Sequence, residues 1–291
     1  IRWRGLGRAS EAVADLEATL EPAALDRILA ALPVGAMDQR LVAWLDSAVQ
    51  GGTVTSGVCR LRGPLADFPF DDRPTGRFEV LLGIEGAALD YAPGWPGLRE
   101  IDGRVEVRGY RVDIGGDRAR IFDSRVVKAV AWVDAPPGSP VEVKGTIEGP
   151  LAAPLRRLKE SPLSADFCTI AGHLRATGSA RLDLDCAAPF DDAGRKRERL
   201  EGAITFSGNE LALVGWPLSL EILEGRLGFD LRGLKAKAIQ GRLLGAPALI
   251  DVQTEKSGAT TVTAAMRRLD VQALDDLAGG TLSRARGAAA V

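Results

Sequence analysis

Histidine is almost absent from this chain: 291 residues contain one, His173. Any imidazole-based zinc site, Ser-His-Asp triad or Cys-His pair must run through that residue. It stands in "TIAGHLRATG" with no ligand spacing around it and reads as a polar position at a strand start. Cysteine is nearly as scarce. Cys59, Cys168 and Cys186 are too few and too scattered for a disulfide framework or a metal knuckle. Burial as small hydrophobes suits them better than a Cys168–Cys186 bond. No metal, cofactor or catalytic residue is expected, and the chain does not read as an enzyme.

Aromatic residues are also few, 5% against 46% hydrophobic overall, so the apolar mass is mostly Ala, Leu and Val. Charge of one sign is missing: 37 Lys and Arg stand against 39 Asp and Glu. Such a balance offers no clustered basic face, which argues against nucleic acid as a partner. No run approaches the roughly 18 apolar residues of a membrane span. The first residue is Ile, with no signal peptide ahead of it, and the chain reads as a piece of something longer.

What is present is periodicity. Residues 9 to 50 place Ala and Leu at three-to-four spacing and predict helices, with Ser10 and Pro22 as start signals and Gly51-Gly52 as the stop. These helices are expected to pack against a sheet end. From about residue 53 the period becomes two. "GRFEVLLGIEG" sets Phe78, Val80, Leu82 and Ile84 on one side, and "GRVEVRG" does the same with Val105 and Val107. "VEVKGTIEG" alternates Val141, Val143 and Ile147 with Glu142, Lys144 and Glu148. "HLRATGSARLDLDC" carries Leu174, Ala176, Ala180, Leu182 and Leu184, and the later "GRLGFDLRG" carries Leu227, Phe229 and Leu231. Alternation of this kind marks antiparallel strands with one dry and one wet face. Ala129, Ala131, Ala236 and Ala238 also fall on the expected dry face. Short helices are expected at 151–163 and 270–280.

The chain also repeats itself. "PFDD" occurs at 69–72 and 189–192, Trp95 is echoed by Trp216, and Gly103 by Gly225, at offsets of 120 to 122. Each Trp-Pro corner reads as a strand stop, because proline cannot continue a ladder. The paired carboxylates Asp71-Asp72 and Asp191-Asp192 read as solvated turns rather than as a glycosidase pair. "GGDRAR" at 115–120 reads as a hairpin turn, since it lacks the Gly-Lys-Ser/Thr ending of a phosphate loop.

On the order of 16 to 20 strands would make a single sheet roughly 75 to 95 Å wide, which the helices cannot roof. Either a sandwich covers itself, or a long curved antiparallel sheet leaves an apolar groove open. The small inner-face side chains favour the groove, since sandwich cores use bulkier ones. The fold class is thus mainly β: a long curved antiparallel sheet with N-terminal helices and a few short helices. Its organisation is an N-terminal helical segment over 1–52, a first β unit over 53–150, and a short helix and linker over 151–172. A second β unit over 173–280 and a flexible tail over 281–291 complete it.

Several phrases resemble the YhdP family of AsmA-like envelope proteins. They are "LPVGAMDQRLVAWLDSAVQGGTVTSGVCRLRG", "GPLADFPFDDRPTGRFEV", "YAPGWPGLREIDGRVEVRG", "PLRRLKESPL" and "WPLSLEILEGRLGFDLRGLKAKAIQGRLLGAP". Their order and spacing carry the resemblance over about residues 25 to 280. It implies a segment of a periplasmic protein anchored to the inner membrane by a helix absent from this chain. Such a protein is expected to shield phospholipid acyl chains in a β-taco-like groove on their way between inner and outer membranes. The groove residues are then the dry-face stripe: Phe78, Val80, Leu82, Ile84, Val105, Val107, Val141, Val143, Ile147, Leu182, Leu184, Leu227, Phe229 and Leu231. The alternative is a β scaffold without lipid that serves envelope assembly or secretion.

Overall fold

The computed structural model describes residues 2–4, 12–32, 34, 39–70, 75–91, 96–134, 140–152, 174–188, 199–214 and 218–267. The described part is mainly β. Its strands are β1 (Arg2–Arg4), β2 (Val13–Leu20), β3 (Ala23–Ala24), β4 (Val49–Pro64), β5 (Arg77–Leu89), β6 (Leu98–Arg108), β7 (Arg111–Ile121) and β8 (Ser124–Val133). They continue as β9 (Val141–Pro150), β10 (Leu174–Thr177), β11 (Ser179–Ala188), β12 (Arg199–Leu213), β13 (Ser219–Asp230), β14 (Gly233–Leu243), β15 (Ala246–Thr254) and β16 (Thr260–Met266). Two helices, α1 (Leu25–Ala30) and α2 (Gln39–Ala48), lie between β3 and β4.

Hydrogen-bonded neighbours follow the order β1-β2-β4-β5-β6-β7-β8-β9-β11-β12-β13-β14-β15-β16, with β3 beside β4 and β10 beside β12. The sheet is large, antiparallel and open; its order does not return on itself to form a barrel. Adjacent strands are mostly consecutive in the chain, as short hairpin connections demand. The chain divides into two compact units. One comprises Ile1–Ile121, Arg125–Gly145 and Asp185–Arg199, the other Phe122–Ser124, Thr146–Leu184 and Leu200–Val291.

The helical reading of 9–50 is corrected at its start. Val13–Leu20 is a strand, laddered onto β4 from Val13↔Pro64 to Leu20↔Gly57. Ala14, Leu16, Ala18 and Leu20 fall on every second position and turn one apolar side inward. The same letters permit a helical spacing, and the exposed backbone of β4 decides between the two. The last helix ends at Ala48, and Gly51-Gly52 lie inside β4 rather than closing the helix. "GGDRAR" is corrected as well: it is the middle of β7, with Gly115 and Gly116 paired to Arg104 and Gly103. A β-carbon on Gly103 would collide with the Gly115 carbonyl oxygen, so glycine is required at this crossing. Ala238 leaves the dry face too: it is exposed, has φ 52°, and donates its N–H to Asp251. Residues 153–163 and 270–280, Trp95, Trp216, His173, Cys168 and both Asp-Asp pairs lie outside the described residues.

The duplication is visible in the backbone at offsets of 121 to 122 residues. Strands β5, β6, β7 and β8 begin at 77, 98, 111 and 124; β12, β13, β14 and β15 begin at 199, 219, 233 and 246. Left-handed residues recur 122 positions apart: Gly86 and Gly208, Glu100 and Ile222, Phe122 and Leu244. Each pair marks the same bulge or turn in its copy, where an extra residue kinks one strand against its neighbour. Asn209 secures one such irregularity. It is fully buried, donates its Nδ2 to the carbonyls of Thr177 and Ser179 at 3.1 Å each, and accepts the Ser207 N–H at 2.8 Å. The residue it spans, Gly178, has φ 79° and separates β10 from β11.

Candidate functional site: the half-buried apolar face

In the first unit the ladder registers align apolar side chains in rows across neighbouring strands. One row runs Ala18, Cys59, Val80, Val107, Val112. The next runs Leu20, Gly57, Leu82, Val105, Ile114. Val80, Leu82, Val105 and Val107 are half-buried, and Ile114 is 40% exposed. Directly opposed residues share a face, so these rows form one apolar surface rather than scattered contacts.

Both margins of that surface are closed. On one side α1 places Leu25 in a buried cluster with Val54 and Ala87, against which Ile28, Leu82, Ile84 and Ile101 pack. On the other side Phe78 meets Phe68, ring centroids 5.0 Å apart, with Phe70 set edge-on to Phe68 at 6.1 Å. The helix therefore packs on the sheet, and its cluster reaches Leu82 of the second row. Trp44 of α2 donates its indole N–H to the Tyr91 carbonyl at 2.9 Å. Burial, with the Cys186 thiol group nearby, pushes the Tyr91 hydroxyl up to about 12.

The reverse face is ionised. Arg60 meets Glu17 at 3.1 Å, Arg77 meets Glu79 at 2.5 Å, Arg118 meets Asp102 at 2.7 Å, and Arg108 pairs with Glu106. Arg111 donates to Asp113 through Nε and Nη2 and to Asp134 through Nη1. The Arg111 hydrogen bonds hold the Asp113 carboxyl below its usual range. Val141 and Val143 alternate with Glu142 and Lys144, which pair with Arg199 at 2.6 Å and Asp185 at 3.1 Å. Burial raises the Cys59 thiol, a half-buried member of the first row, which suits a small hydrophobe rather than a nucleophile.

The second unit repeats the plan with more of its face closed. Leu151 joins Ala176, Phe206, Leu223, Ala236, Ile239, Ala248, Ile250 and Val252 in one buried cluster. Ile204 opposes Leu227, and Phe229 opposes Leu234; all four are half-buried. Ile147 alternates with Thr146 and Glu148, and Leu182 and Leu184 with Arg181 and Asp183. Thr146 donates to Asp183 at 2.9 Å, while Arg181 meets Glu148 at 3.6 Å, so the polar partners gather on the other side.

The fourteen residues expected to line a groove thus divide by unit. Phe78, Val80, Leu82, Ile84, Val105, Val107, Val141 and Val143 belong to the first, and Ile147, Leu182, Leu184, Leu227, Phe229 and Leu231 to the second. All are half-buried strand residues except Leu231, which lies in the turn between β13 and β14 and is 56% exposed. Sequence reasoning did not single out Leu25, Leu151, Phe68 or Asn209; only Phe68 carried a signal, in "FPF".

A family model described as "YhdP protein" matches residues 4–291. The chain belongs to the YhdP family. A relative in that family, the "Intermembrane phospholipid transporter YhdP" of Escherichia coli (strain K12), is 24% identical over 229 residues. The match covers 78% of this chain and 18% of the relative, so the chain spans under a fifth of that protein's length. No solved structure matches. Among the described residues no helix is long and apolar enough to cross a membrane.

Proposed function

We propose that this chain is a segment of a periplasmic, inner-membrane-anchored protein that moves phospholipid between the inner and outer membranes. Acyl chains lie on the open apolar rows while head groups stay in water. The carrying observation is the pair of rows through Val80–Val107 and Leu82–Val105, closed at both margins, half-exposed between them and backed by an ionised face. Bringing a diacyl lipid into water exposes roughly 30 methylenes, some 20 to 25 kcal/mol at about 0.8 kcal/mol each. A surface that stays apolar along its length removes that barrier. It needs no catalytic group, and loose binding favours movement.

The test has two parts. Lipid extraction and mass spectrometry of the purified chain should find copurifying phospholipid; a lipid-free chain points instead to a β scaffold. In the full-length protein, Val107→Asp and Leu182→Asp should block phospholipid movement while the chain still folds. Transport equal to the unsubstituted protein counts against the groove.

A further inference from the structure

The two helices between β3 and β4 are held in different ways. Apolar packing anchors α1: Leu25 is buried with Val54 and Ala87, and Ile28 packs against them. In α2, Leu41, Trp44, Leu45 and Ala48 stand at three-to-four spacing, on one side of the helix. Ala48 is buried, and the other three are half-buried. Two hydrogen bonds tie that end down: the Trp44 indole N–H to the Tyr91 carbonyl at 2.9 Å, and the Asp90 N–H to the Ala48 carbonyl at 2.7 Å. The receiving side is braced. Arg99 of β6 meets Asp90 at 2.6 Å and donates to the carbonyls of Leu98 at 2.9 Å and Leu89 at 3.4 Å. The helix side is jointed instead. α2 runs straight into β4, where Gly51 and Gly52 take φ 141° and 127°, and the β4–β5 ladder slips on both sides of Gly51. A β-carbon on Gly52 would stand 2.7 Å from Ala87, whereas one on Gly51 would meet nothing within 4 Å. A pinned glycine beside a free one is a place where backbone turns at low cost. This joint is particular to the first copy, since 122 residues on stand His173 and Leu174.

We propose that α2 is a hinged lid at this margin of the first unit, turning on Gly51-Gly52 and held shut by the Trp44–Tyr91 and Ala48–Asp90 hydrogen bonds. The inference rests on the lipid-carrying reading above and adds where a hydrocarbon chain enters. With the lid shut, the side of α2 that bears Leu41, Trp44 and Leu45 is half-covered. Turning it outward uncovers that side together with Val49 and Leu89, which pair at the end of the ladder. A chain then passes sideways onto the apolar face. Each hydrogen bond is worth little net of solvation, so this margin opens far more readily than the ladder behind it unfolds.

Amide hydrogen exchange reads the hinge, and lipid uptake reads its role. Trp44→Phe keeps an aromatic ring and removes the indole donor. The amides of 43–48 and of Asp90 should then exchange about two- to tenfold faster, with those of the β5–β6 ladder unchanged. The opposite variant locks the lid. Ala48→Cys with Asp90→Cys, in a chain whose Cys59, Cys168 and Cys186 are replaced by alanine, sets a disulfide across facing positions. Oxidised, that chain should take labelled phosphatidylglycerol from phosphatidylethanolamine–phosphatidylglycerol vesicles at least about fivefold more slowly than after reduction. Equal uptake by the oxidised and reduced forms, or unchanged exchange in Trp44→Phe, overturns the lid and leaves the lipid-carrying reading standing. Absence of uptake by every form overturns the lipid-carrying reading, and the exchange rates then decide the hinge by themselves.

Discussion

Glu100 and Ile222 share one backbone conformation, φ 51° and φ 50°, at equivalent positions of the two copies. Each falls where the ladder slips, between Arg99 and Asp102 in the β6–β7 pair and between Glu221 and Glu224 in the β13–β14 pair. For a β-branched residue this left-handed geometry is strained, and Ile222 is also 55% exposed, so burial compensates little.

That relationship makes a stability prediction of opposite signs. Ile222→Asn should stabilise the chain by about 0.5 to 1 kcal/mol, since asparagine tolerates the left-handed region. Gly208→Ala should destabilise by about 1 kcal/mol. Gly208 has φ 72° and open space where a β-carbon would stand, so the cost there is backbone alone. Urea denaturation of the three chains measures both. A stability loss above about 1 kcal/mol on Ile222→Asn would show that the side chain matters more than the strain.

Asn209 should be far less replaceable than its buried counterpart Ala87. Asn209→Leu strands the carbonyls of Thr177 and Ser179 and the N–H of Ser207, and should cost about 2 to 4 kcal/mol. Asn209→Asp should behave differently with pH. It keeps the acceptor for Ser207 but turns an ionised oxygen toward two carbonyls, so its loss should shrink as acid protonates the new carboxyl. A pH-independent loss in Asn209→Asp would contradict the bonding pattern.

Acid should weaken the first unit through Asp113. Its carboxyl sits below the usual range because Arg111 hydrogen-bonds it, outweighing burial, which acts the other way. A depressed folded value gives stability that is complete above the unfolded pKa, about 3.9, and is lost as pH falls through the folded one. Thermal melts from pH 6 downward should therefore decline more steeply for the unsubstituted chain than for Asp113→Asn. Parallel declines would mean that the pair contributes nothing measurable, as many exposed ion pairs do.

Much of this was legible beforehand because it is local. Alternation in "RFEVLLGI" and "GRVEVR" assigns each side chain to one face of a strand whichever strand lies beside it. The repeat was legible from Gly103 and Gly225, and its strand-by-strand correspondence appears only when the strands are laid side by side. The strand at Val13–Leu20 was not legible, since eight residues with apolar side chains on alternate positions also contain helical spacings. The run through Gly115 and Gly116 was misread because adjacent glycines favour turns in isolation.

By itself the sequence determined a β-rich chain with one greasy and one charged side, written twice, and its family resemblance. The tertiary structure alone decided which parts of the greasy side are packed over among the described residues. Leu25 reaches Val54 across 29 positions, Phe68 reaches Phe78 across ten, and Asn209 bridges two carbonyls 30 and more residues earlier. Periodicity assigns a side chain to a face; whether that face is covered depends on contacts between distant segments, which no local pattern encodes.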